Sequence, residues 1–123
     1  MRGVLPSGEE YLKWILRVEQ MNGNVRSIDL AQSMNYSKAS VSVAIKKLVD
    51  KKFVVKDDKG YLHLTNAGLE IATNLNERHL FLTNYLINIG VSPNVALADA
   101  CKLEHVLSEE SYMKLKESAE SKE

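Results

Sequence analysis

The segment from Ser27 to Leu64 constrains this chain more than any other, because its punctuation allows few folds. Ser27 stands before IDLAQSM, whose Ile28, Leu30, Ala31 and Met34 recur at helical spacing. Three residues, Asn35-Tyr36-Ser37, separate it from a second periodic run, KASVSVAIKKLVDKK, with Val41, Ala44, Ile45, Leu48 and Val49 on one side and Ser37 as its cap. Two short helices joined by so tight a connection, the second one basic, have the form of a helix-turn-helix. Phe53-Val54-Val55 then reads as a strand, Lys56–Gly60 as a turn, and Tyr61-Leu62-His63-Leu64 as the returning strand. A hairpin directly after a recognition helix is a wing.

The flanks complete the pattern. Residues 9–21, EEYLKWILRVEQM, place Tyr11, Leu12, Ile15, Leu16 and Val18 on one helical face, with Ser7 as the expected cap and Asn22-Gly23-Asn24 as the stop. Thr65 caps a long helix running to about Gly90, and Leu80, Phe81, Leu82, Tyr85, Leu86 and Ile87 nearly encircle its second half. One winged helix cannot cover that much apolar surface, so a symmetric homodimer is expected. Val91-Ser92-Pro93 opens a further helix, NVALADACKLEHVL, and Ser108 caps a last one, EESYMKLKESA. The fold class is mainly α: an N-terminal winged helix-turn-helix over residues 1–73, a helical dimerisation and metal-binding region over 74–118, and a charged tail over 119–123. There are no internal repeats and no low-complexity linker.

Composition bounds the function. With 123 residues, 45% hydrophobic and 26% charged, the chain has the balance of a folded domain rather than a disordered one. No apolar run approaches the roughly 18 residues of a membrane span. The N-terminal MRGVLPSGEE lacks the apolar core of a secretory signal, and a single cysteine suits a reducing compartment, so a cytoplasmic location is expected. Net charge is zero, yet from Ser37 to Lys59 seven lysines (38, 46, 47, 51, 52, 56, 59) face three aspartates (50, 57, 58), a local excess of four positive charges. Phosphate neutralisation is local, so such a stripe suits double-stranded DNA, although a solvated lysine-rich helix face would read the same way.

Cys101, Glu104 and His105 stand at i, i+3 and i+4 and therefore share one helical face. Thiolate, carboxylate and imidazole together form a half-site for Fe(II), Mn(II), Zn(II) or Co(II), not for Ca or Mg. On spacing alone, a half-buried cysteine beside a surface Glu–His pair is the commoner arrangement, because so short a motif recurs by chance. His63 on the wing reads as a solvent-facing strand residue.

The segments EEYLKWI, SIDLAQSMNYSKASVSVAIKKL, YLHLTNAGLEIA, ERHLFLTNYLINIGV and ACKLEHVLS, in this order, resemble the diphtheria toxin repressor family of iron- and manganese-dependent repressors, in a short form without the SH3-like domain. The resemblance covers residues 9 to about 115. It implies metal ligands at Glu10, His79, Cys101, Glu104 and His105, and a repressor of metal homeostasis genes whose DNA grip depends on the ion. A metal taking Glu10 together with the Cys-Glu-His trio would fix the angle between the DNA-binding and dimerisation parts. The chain departs from the family at Lys13, Thr83 and Leu97, where members carry further ligands, so one site per subunit is expected, with His79 either a fifth ligand or the remnant of a second site. The thiolate of Cys101 leans the choice toward Fe(II) over Mn(II), with Zn(II) or Co(II) accepted in vitro.

The expected partners are a palindromic DNA operator and a second copy of the chain, with no membrane and no small-molecule substrate. Lys38, Ala39, Ser40 and Ser42 are placed to meet base edges and phosphates after the Ser37 cap, Lys46, Lys47 and Lys59 to meet phosphate, and Arg26 with Ser27 to hold a phosphate at a helix start. Bidentate base readers are absent from this set, which shifts specificity toward methyl contacts and DNA shape. The competing readings are a metal-independent winged-helix regulator with a degenerate site and a winged-helix protein-interaction module. An enzyme built on Cys101 and His105 has neither oxyanion donors nor an enclosed cleft to support it, so no enzymatic activity is expected.

Overall fold

The computed structural model describes residues 6–121. Met1–Leu5, half of the segment read as carrying no signal, and Lys122 and Glu123 of the charged tail lie outside the described residues. Six helices and a two-stranded sheet follow one another as α1 (Pro6–Asn22), α2 (Ser27–Met34), α3 (Lys38–Asp50), β1 (Val54–Lys56), β2 (Leu62–Leu64), α4 (Asn66–Asn88), α5 (Pro93–Val106) and α6 (Glu109–Ser121). The chain divides into two compact units, Met1–Asn74 and Leu75–Glu123, with the boundary inside α4.

In the first unit, α1 starts at Pro6 and so takes Ser7 into the helix rather than using it as a cap. Proline at a first helical position loses no hydrogen bond, because that N–H has no partner within the helix. Gly23 closes α1 in the left-handed region, at φ 86°, and its N–H reaches Glu19 O at 2.7 Å. Helix α2 is capped differently from the expectation that Ser27 does so. Arg26 is the cap position, and its backbone N–H donates to the Asp29 carboxylate at 2.9 Å. Asn35 turns the chain through the left-handed region at φ 58°, and Ser37 then caps α3 by accepting from Ser40 N at 3.1 Å.

The core of this unit is aliphatic: Leu12, Ile15, Val18, Leu30, Val41, Ile45, Leu48, Val54 and Leu62 are buried. Of the residues expected to face inward, Ile28 is exposed, and Met34, Ala44 and Val49 are only half-buried. An eight-residue helix gripped on one side buries only its central turn, Leu30 and Ala31.

Strands β1 and β2 pair antiparallel with Val54 opposite Leu64, Val55 opposite His63 and Lys56 opposite Leu62. Their buried members, Val54 and Leu62, turn inward while Val55 and His63 face solvent, the alternation of a half-buried ribbon. Thr65 closes the hairpin onto the next helix from both sides. Its hydroxyl donates to Lys52 O at 2.8 Å and accepts from Gly68 N at 3.2 Å. A Cβ at Gly68 would stand 2.2 Å from Phe53 O, so only glycine lets α4 start this close to the strand.

The second unit holds the rest of α4 with α5 and α6. Pro93 begins α5 and Ser108 caps the start of α6, its hydroxyl accepting from Ser111 N at 3.0 Å. Helix α6 continues to Ser121, so the first three residues of the expected tail are helical. Along α5 the residues at four-residue spacing, Ala96, Ala100 and Glu104, are all buried. Two alanines let helices approach closely, and the stripe then ends on a carboxylate. Among the described residues, no helix is long and apolar enough to cross a membrane.

Candidate metal centre and nucleic-acid face

Burying Glu104 at 1% exposure, beside two alanines, requires compensation for a desolvated charge. Helix α4 supplies it: His79, itself 3% exposed, shares a hydrogen bond from Nδ1 to Glu104 Oε1 at 3.0 Å. Cys101, one turn before Glu104 on α5, brings its Sγ to 3.9 Å from the same nitrogen. The three donor atoms of His79, Cys101 and Glu104 all lie within 4.8 Å of one another. Bonds of roughly 2.0–2.3 Å to a shared ion hold donors about 3–4.5 Å apart, so this set closes on a transition metal with small side-chain adjustments. His105 lies on the following residue of α5, its Nε2 3.9 Å from Glu104 Oε2. The sequence left His79 undecided between a fifth ligand and a remnant; the geometry puts its ring against the thiol and the carboxylate.

Glu10 lies on α1 in the first unit, where its carboxylate accepts from Lys13 Nζ at 2.9 Å and from Trp14 Nε1 at 3.1 Å. Lys13 is fully buried, so its ammonium is fixed beside Glu10 rather than swinging in solvent. Thr83, where relatives were expected to offer a carboxylate, buries a hydroxyl that has no hydrogen-bond partner among the described residues, and Leu97 is exposed. Neither supplies a charge for a second ion.

On the first unit, the outward side of α3 carries Lys38, Ala39, Ser40, Ser42, Val43, Lys46 and Lys47, all exposed. The first turn is small: the hydroxyls of Ser37 and Ser40 lie 2.9 Å apart. Val43, at 56% exposure, is part of this face and was missed from the sequence, although its position four residues after Ala39 would have placed it there. A groove of about 520 Å³ borders the same side, lined by Tyr11, Ala39, Val43, Ala44, Lys47 and Leu48 among others. Arg26 is not extended toward solvent alone; its guanidinium stacks 4.6 Å over the Tyr61 ring, tying the start of α2 to the wing. Ser27, on the next residue, is half-buried.

The wing turn is organised by a residue not singled out from the sequence. Asp57 Oδ1 accepts from the backbone N–H groups of Lys59 and Tyr61, both at 2.9 Å, and Oδ2 pairs with His63 Nε2 at 2.8 Å. The His63 hydrogen bond, followed by those backbone donors, holds the Asp57 carboxyl below its ordinary value. His63 is thus exposed, as expected, but committed to the turn that presents Lys59.

Comparison with known proteins matches the chain in two consecutive parts. Residues 4–64 match the iron dependent repressor N-terminal DNA binding domain, and residues 65–121 match the iron dependent repressor metal binding and dimerisation domain. The transcriptional regulator MntR of Escherichia coli O6:H1 is 30% identical over 103 residues, 84% of this chain and 66% of that protein. An HTH-type transcriptional regulator of Methanocaldococcus jannaschii is 31% identical over 110 residues, 88% of each chain. The solved structure of the manganese regulator SloR superposes with a TM-score of 0.84 at 26% identity, covering 95% of this chain and 55% of that one. This chain therefore spans about two thirds of the length of the Escherichia coli regulator and about half of SloR. With both halves matched in order, the chain belongs to the iron-dependent repressor family.

Proposed function

We propose that this protein is a metal-dependent transcriptional repressor of metal homeostasis genes, binding a palindromic DNA operator as a homodimer. The observation that carries the reading is the cluster of buried His79 and Glu104 with half-buried Cys101, a donor set suited to a divalent transition ion. Residues 1–73 serve as the DNA-binding domain and residues 74–118 as the dimerisation and metal-binding region, in the cytoplasm. His79, Cys101, Glu104 and His105 hold the ion, and Glu10 is the ligand through which the first unit responds to it. Bound there, the cation supplies a fixed positive charge that holds donors from different helices in one arrangement. The thiolate favours Fe(II) over Mn(II), with Zn(II) and Co(II) as in vitro substitutes.

On the DNA side, Ser37, Lys38, Ala39, Ser40 and Ser42 approach the major groove, and Lys46, Lys47 and Lys59 contact phosphates. Arg26 and Ser27 sit at the start of α2, where backbone N–H groups favour an anion. Val43 joins this set, since an exposed valine between lysines suits a thymine methyl group better than water.

The test is fluorescence anisotropy of promoter fragments with protein stripped of metal and then titrated anaerobically with Fe(II) and Mn(II). Binding that requires metal and disappears in Glu104→Ala is the expected result. Equal binding with and without metal would leave a winged-helix DNA-binding protein whose His-Cys-Glu cluster is structural.

A further inference from the structure

Beside the metal ligands lies a buried arginine to which the function proposed above gives no task. Arg78 directly precedes His79 on α4 and is only 7% exposed. Its guanidinium spends its donors on the far end of α5: Nη1 donates to Leu107 O at 2.7 Å and makes a longer contact with Glu104 O at 3.4 Å. Nη2 donates to the Glu109 carboxylate at 2.8 Å, and the Tyr112 ring lies 4.8 Å from Cζ. Glu109 is well exposed, so the ion pair alone does not account for burying this charge.

The carbonyls do. Helix α5 ends at Val106, and its last carbonyls lack donors from the helix itself while carrying the negative end of its dipole. Arg78 therefore caps α5 from another helix. Through that cap, the residue next to ligand His79 holds the backbone three residues past ligand Glu104, with a longer contact to the Glu104 carbonyl itself. An α4 side chain is thereby bonded to backbone at the end of α5, independently of the side chains that meet an ion.

We infer that Arg78 is a positioning residue of the metal centre, a backbone brace that holds the α5 ligands at the spacing His79 requires. The inference rests on the metal-site reading above. Groups that hold metal ligands in place without touching the ion are worth roughly 10–100-fold in metal affinity. Lysine can replace the charge but not the planar fork that serves Leu107 O and Glu109 together.

The experiment is anaerobic Co(II) titration of the full chain, wild type and variants, against a competing chelator. The absorption bands of thiolate-bound and tetrahedral cobalt are read below the unfolding temperature of each variant. Arg78→Ala should bind Co(II) about 10–100-fold more weakly and show shifted ligand-field bands even when saturated. Arg78→Lys should fall between, and Glu109→Ala should stay within about threefold of wild type, as expected for an exposed partner. A purely structural role would lower the unfolding temperature but leave the affinity and bands of the folded protein unchanged, and that result overturns the inference. If Arg78→Ala does not fold, Arg78→Lys decides: wild-type affinity and bands there are equally fatal. Glu104→Ala separates the two levels. If it binds Co(II) like wild type, the centre is misplaced and the brace falls with it; if it loses Co(II) while the Arg78 variants do not, only the brace is wrong.

Discussion

In the first unit, Leu12, Ile15, Val18, Leu30, Val41 and Ile45 fill the interior, and the charged residues lie outside apart from Glu9 and Lys13 on α1. In the second, Arg78, His79 and Glu104 are buried, while Leu80, Ile89, Val95, Leu97, Val106 and Met113 are exposed. Among the described residues, only Leu75, Leu82, Ala96, Ala100 and Tyr112 of the buried apolar set belong to the second unit. A small unit with that distribution has little apolar burial of its own to offset chain entropy. It has what an ion and a second copy would complete: paired donors inside and an apolar surface outside. The first unit is filled by apolar side chains, whereas the second buries charge and leaves much of its apolar surface outside.

Four perturbations break or sharpen this contrast. The largest effect is expected in the first unit. Ile15→Ala removes a fully buried side chain and should cost about 2–5 kcal/mol in denaturant unfolding, by the same amount with and without metal. A loss that depends on metal would mean the first unit is not self-sufficient. Next comes the apolar exterior of the second unit. Leu80→Asp with Leu97→Asp should weaken self-association by on the order of 100-fold in sedimentation, while leaving the first unit's fold intact by circular dichroism. An unchanged association constant would place the dimer surface elsewhere.

The third perturbation addresses the DNA face. Lys46→Ala and Lys47→Ala should each lower DNA affinity about evenly across sequences and reduce the slope of log affinity against log salt by about 1. A change in sequence preference with an unchanged slope would make these lysines base readers. The smallest effect concerns the wing. Because the Asp57 carboxyl is held below its ordinary value of 3.8, its contribution to the turn is present above that pH. It is lost as pH falls through the lower, folded value. Carboxyl NMR titration should therefore find Asp57 below 3.8, and His63→Ala should move it back toward 3.8. A normal midpoint in the intact protein would show that the pair does not persist in solution.

The two units also differ in how far their sequences disclosed them. The winged helix is local: Ser37 and Thr65 announce their caps, Gly60 its turn, and the period of the apolar residues changes where helix gives way to strand. What escaped were choices between equivalent donors. Asp29 rather than Ser27 completes the cap of α2, and α1 starts at Pro6, one residue before Ser7. In the second unit, spacing put Cys101, Glu104 and His105 on one face, but it could not say which residue of a helix more than twenty positions away would meet them. Only packing brings His79 Nδ1 to Glu104. Arg78 left no trace in the sequence at all, because a buried guanidinium and a solvated one are written alike. Val43 was legible by its spacing but passed over because its side chain is apolar.

The central claim is that ion binding and DNA binding are one coupled equilibrium. The decisive measurement is metal affinity of the purified protein, free and saturated with a promoter fragment it binds. Linkage requires the factor by which Fe(II) or Mn(II) tightens DNA binding to equal the factor by which DNA tightens metal binding. Matching factors well above one are expected, both collapsing in Glu104→Ala. The same metal affinity with and without DNA would contradict it.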